Sequence, residues 1–175
     1  MTPSISNSQT QSAPPVHPQA GSQQAEQLKQ QLLAFEAPYV EEKLLQKGQF
    51  ATRDECRRAL VELMKYLWLS FVFDQRFSMV SKRVDNVWHQ FILFTREYHA
   101  FCQQHFGSYM HHAPHVGPRR EPDEAFRAGV RGFFAEYQTH FGPVSRLWAD
   151  WLDVDVAELS DSLARTACPE FDFHL

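Results

Sequence analysis

From Glu26 onward the apolar residues fall three or four positions apart, the repeat of an amphipathic helix. Leu28, Leu32 and Phe35 share one face. Pro38 interrupts them and can open a second short helix as its first residue, where a missing N–H costs nothing. Tyr39, Val40, Leu44 and Leu45 continue that helix and Gly48 stops it. "TRDE", Thr52 to Glu55, is a capping box. Behind it Cys56, Ala59, Leu60, Leu63, Met64, Leu67 and Phe71 run at helical spacing, which makes Cys56 a small core residue. After the linker "DQRFSMVSKR", the residues Val84, Val87, Trp88, Phe91, Thr95, Tyr98 and Cys102 lie on one stripe at about 100° per residue. The stripe predicts a single helix ending near Gly107. A loop with three prolines follows, and Asp123 caps a further helix that buries Phe126, Val130, Phe133, Phe134, Tyr137 and Phe141. Gly129 and Gly132 are spaced to let a neighbouring helix approach closely. A fresh start at Pro143 turns Val144, Leu147, Trp148 and Trp151 inward, and Val156, Leu159 and Leu163 mark a last amphipathic turn or two. The pattern predicts an all-α fold: a single compact bundle of about five to seven helices.

Composition adds boundaries. Residues 1–24 are Ser/Gln/Pro-rich, uncharged and free of aromatics, too poor in apolar area to offset ordering, so a disordered tail precedes a helical domain over 25–175. The tail has no basic stretch and no apolar core of a secretory signal, and no apolar run approaches the roughly 20 residues of a membrane span. A net charge of −4 argues against general nucleic-acid binding. Three widely spaced cysteines, Cys56, Cys102 and Cys168, form no disulfide framework and suit a reducing compartment. These points describe a cytoplasmic protein that binds neither membrane nor nucleic acid and whose partner is another protein.

The candidate chemistry lies in "VDNVWHQFILFTREYHAFCQQHFGSYMHH", Val84 to His112. Imidazole is the commonest transition-metal ligand, and six of the nine histidines fall between His89 and His115. Asp85 and His89 are one turn apart on one face, a spacing that lets a carboxylate and an imidazole share a metal, or lets the carboxylate orient the ring. In the bland reading Asp85 only complements the helix dipole. His89 and Cys102 are 13 residues apart, about 20 Å on a continuous helix, too far to share an ion. His99 and Cys102 are one turn apart, and the chain reverses after Gly107, so His111 or His112 can fold back towards them. The candidate ligands are therefore His89, Cys102, His111 and His112, with Asp85, Trp88, Tyr98 and His99 around them and zinc or iron as the ion. For His111-His112 the simpler role is one ring in solvent and the other capping the preceding helix.

The order of Val84, Asp85, Trp88, His89, Thr95, Tyr98, Cys102, Phe106, Gly107, His111, His112, Pro114 and Gly117 resembles bacterial members of the glycine-rich domain-containing protein-like family, whose core reads V-D-x-x-W-H-x-H-x-L-x-T-x-x-Y, then Cys, F-G and H-H-x-P. "EPDEAF", "YQTHFG" and Trp148 extend the likeness, which covers roughly residues 55–150. Two departures stand out: Phe91 replaces the family's second histidine, and the glycine-rich segment is missing. The resemblance implies a fold and a motif, and no particular reaction. Two functions follow. The first is a partner-binding or accessory helical module centred on the Trp88/His89 helix. The alternative is a metal-dependent enzyme or metal sensor using the His/Cys cluster of residues 85–112. A straight helix favours the module, because on it the ligands do not converge.

Overall fold

The computed structural model describes residues 17–112 and 124–148. Six helices follow in order: α1 (Gln23–Leu33), α2 (Pro38–Gln46), α3 (Arg53–Val72), α4 (Lys82–Leu93), α5 (Thr95–Phe106) and α6 (Glu124–Phe141), then a 3-10 turn at Arg146–Trp148. No strand occurs among the described residues. The Asp123 cap, the Pro-rich loop, Trp151, Cys168, the last amphipathic turns and residues 1–16 of the expected tail lie outside them.

α3 is the hub, packed against α1, α2, α4 and α6. Its start is fixed by the capping box: Thr52 Oγ1 accepts from Glu55 N–H, and the Glu55 carboxylate accepts from Thr52 N–H. Its second half is apolar on nearly every side, with Leu63, Met64, Tyr66, Leu67, Trp68, Leu69, Phe71 and Val72 all buried, as befits a helix surrounded by others. Polar ties cross this core. Trp68 Nε1 donates to the Ala25 carbonyl at 2.8 Å, fixing α1. Glu62, 5 % exposed, accepts from Tyr137 Oη and Trp148 Nε1, each at 2.7 Å, and from Lys65 Nζ at 2.9 Å. A buried carboxylate is tolerated there because every partner is in place. It joins α3 to α6 and to the 3-10 turn, and the hydroxyl of Ser81, the cap of α4, donates to the Leu147 carbonyl.

Three expectations need correction. The ordered chain begins before residue 25: Ser22 caps α1, and His17 packs its ring on Phe71 with Nδ1 donating to the Phe71 carbonyl at 2.7 Å. That bond serves one of the carbonyls left over at the C-terminus of α3. Gly129 and Gly132 do not mediate close packing among the described residues, because a Cβ at either would meet none of their atoms within 4 Å. The stripe from Val84 to Cys102 is two helices. Phe94, at φ −84°, ψ 67°, leaves the helical region and serves as the end of α4 and the start of α5. Its ring rests on Tyr39, 4.9 Å between centroids, while Phe91 one turn earlier points into Phe35, Tyr98 and Phe101. Tyr39 also meets Phe91, at 6.3 Å, and the chain bends between the two rings it contacts.

Candidate metal centre

The bend is the first of two reversals. The second is at Gly107, whose φ of +68° is open to glycine at no steric cost and closes α5. Residues 108–112 then run back along α5 to its first turn. Tyr98 Oη donates to the Met110 carbonyl at 2.7 Å, and the Tyr109 ring lies 5.2 Å from that of Tyr98. α5 is about 18 Å long, and an extended stretch of five residues spans about 17 Å. The return therefore carries the chain past Cys102 and His99 to α4.

There His112 meets Asp85 and His89. His112 Nε2 is 2.8 Å from Asp85 Oδ1, and His89 Nδ1 is 3.3 Å from Asp85 Oδ2. The two imidazole rings lie 4.4 Å apart. One donor atom from each of the three residues falls within 4.8 Å of the others, which no other trio of His, Cys, Asp or Glu achieves among the described residues. Imidazole nitrogen and carboxylate oxygen bind zinc at about 2.0–2.2 Å, so three donors on one ion stand about 3–3.5 Å apart and side-chain shifts of about 1 Å close the remainder.

The environment is graded. His112 is 7 % exposed, Asp85 21 % and His89 47 %. Trp88 walls the inner side, its ring edge-on to His112 at 4.4 Å. Trp88 Nε1 donates to Tyr98 Oη at 2.9 Å. One side of the trio is thus core and the other is open to solvent.

The sequence grouped the residues differently. It paired Asp85 with His89 at one end and His112 with Cys102 and His99 at the other. The structure joins Asp85, His89 and His112 and leaves the rest apart. Cys102 is fully buried beside the Met110 backbone and Tyr98, and burial pushes its thiol pKa up, away from the thiolate that binds metals. His111 faces solvent with its ring 4.9 Å from Tyr109, the role expected for one of the pair. His112 does not cap α5; its reach is spent on Asp85. His99 is exposed, beside Tyr109. The signal that could have selected His112 is the matched length of α5 and the segment after Gly107.

A second place offers less. A cavity of 290 Å³ on α3 is lined by Asp54, Arg57, Arg58, Val61, Glu62 and Ser145, none of them in the trio. Its arginines are engaged, Arg57 by Glu41 and Arg58 by Asp54.

Comparison with known proteins places the trio inside a family match. A family model described as UCP032817-like matches residues 16–138, a span that runs from the residue before His17 into α6 and includes Asp85, His89 and His112. No curated protein and no solved structure matches the chain. With more than half of its length matched, the chain belongs to the UCP032817-like family.

Proposed function

We propose that this domain is a metal-dependent catalytic module that binds one divalent transition-metal ion, of the zinc or iron class, through Asp85, His89 and His112. The observation that carries the reading is the convergence of three donor atoms within 4.8 Å on the outer side of the Trp88 wall. Two imidazoles and one carboxylate suit borderline divalent ions. Structural zinc sites close all four positions with protein ligands, whereas catalytic sites keep a position for water or substrate. Three donors and a solvent-facing side match the second pattern. One carboxylate leaves the bound ion with net positive charge, which would favour a deprotonated water or an anionic substrate oxygen in the open position.

The partner-binding reading has less support. Leu93 is the one large hydrophobic side chain left exposed among the described residues, too little for an apolar docking face. No helix among them is long and apolar enough to cross a membrane. The free thiols of Cys56 and Cys102 support a reducing, cytoplasmic setting.

The test is metal content. Protein equilibrated with zinc, or with iron under anaerobic conditions, and then desalted should retain one ion per chain. His89→Ala and His112→Ala should each lose it while keeping the helical circular dichroism of the parent. Retention of the ion by both variants would place it elsewhere.

A further inference from the structure

We propose that Tyr98, supported by Cys102, is the positioning residue of this centre: it grips the Met110 peptide and so sets where His112 presents its ring. The inference rests on the metal reading and adds the device that holds its third ligand.

His112 is the ligand without a helix beneath it. Asp85 and His89 are fixed by α4, but no main-chain hydrogen bond ties residues 108–112 among the described residues. The segment is instead held at Met110. Tyr98 Oη donates to the Met110 carbonyl at 2.7 Å, and the Cys102 thiol lies beside the Met110 backbone. Tyr98 and Cys102 are one turn apart on α5 and fully buried, so the grip is anchored in the core. Met110 lies two residues before His112, so fixing Met110 limits where the His112 ring can reach.

The phenol does two things at once. While donating to Met110 it accepts from Trp88 Nε1 at 2.9 Å, and Trp88 is the wall against which His112 stands edge-on. One hydroxyl thereby sets the ligand-bearing segment and the surface behind the ligand. Phenylalanine would fill the same volume and leave a buried indole N–H and a carbonyl without partners. Burial also holds the Tyr98 hydroxyl pKa well above its ordinary value, so it stays protonated and available as a donor. Outer partners of this kind orient ligands, and their loss costs about 10–100-fold in metal affinity.

The experiment titrates the parent, Tyr98→Phe and His112→Ala with Co(II), reading affinity and the visible d–d bands, at a temperature where circular dichroism shows each variant folded. Tyr98→Phe should bind about 10–100-fold more weakly than the parent and shift the bands, because the geometry of one nitrogen ligand changes. Parent-like affinity and bands in Tyr98→Phe, with only a lower melting temperature, would reduce Tyr98 to a structural residue and overturn the proposal. A parent that binds no Co(II) would remove the metal reading itself, and this proposal with it. If Tyr98→Phe does not fold, Cys102→Ala and Cys102→Ser are titrated in its place. Weaker binding in the alanine variant with recovery in the serine variant supports the grip, and parent-like binding in the alanine variant overturns it.

Discussion

Asp85 carries two loads. It sits in the first turn of α4, where a negative charge complements the helix dipole, and it lies between two imidazoles. The loads separate in magnitude. Asp85→Asn should cost the metal-free protein about 0.3–1 kcal/mol from the dipole alone, a shift of a few degrees in melting temperature. The same change removes the only anionic donor of the trio, and zinc affinity measured by chelator competition should fall by at least about 100-fold, beyond the range of an outer-sphere loss. A variant that keeps zinc and only melts at a lower temperature would assign Asp85 to the helix dipole alone. Glu62 is the contrasting carboxylate. It has three protein partners, so its charge is consumed internally. Glu62→Ala should destabilise by about 3–5 kcal/mol in urea unfolding, because it strands a half-buried lysine partner, a phenol and an indole N–H, and it should leave metal affinity unchanged.

At the scale of elements, the glycines divide by conformation. Gly107 closes α5 at φ +68°, and alanine there should cost about 1–2 kcal/mol of unfolding free energy. Gly132 lies within α6 with open space where a Cβ would stand, and alanine there should stabilise by about 0.5–1 kcal/mol. Opposite signs in chemical denaturation would bear out both assignments. The helices themselves were legible because periodicity, the Thr52 capping box and Pro38 at a helix start are local signals. The bend at Phe94 was not. No Gly or Pro marks it, and the apolar stripe carries straight through, since Val84, Val87, Trp88, Phe91, Tyr98 and Cys102 are all buried on either side of it. The bend coincides with the packing of Phe94 on Tyr39, a contact between α2 and the α4–α5 junction that periodicity does not encode. The candidate site failed to be read for the same reason. Each of its residues was picked out, but their grouping depends on two reversals, and only the one at Gly107 leaves a mark in the sequence.

For the molecule as a whole, acid should loosen the packing of α5 against Phe35 in the connection between α1 and α2. The His105 ring lies among Phe35 and Phe101, and its Nδ1 is buried without a hydrogen-bond partner. Burial lowers its pKa below the ordinary 6.5, even at the end of a helix where the dipole favours a cation. The folded state therefore binds the proton less readily than the unfolded chain. The stability held by neutral His105 is fully present above pH 6.5 and is lost as pH falls below that value towards the folded-state pKa. His105→Leu should flatten the decline of unfolding free energy as pH falls below 6.5 relative to the parent; an unchanged slope would mean that other groups set the acid limit. The wider account is that a helical bundle uses one bend, one left-handed glycine and one clamped peptide to bring a distant histidine onto an Asp-x-x-x-His turn. X-ray absorption at the metal edge of the zinc-loaded protein tests this most directly. The prediction is a shell of nitrogen and oxygen alone at about 2.0–2.1 Å with the outer scattering of two imidazoles. A sulfur scatterer near about 2.3 Å, the Zn–S distance, would place Cys102 or another thiol on the ion and contradict the assignment to Asp85, His89 and His112.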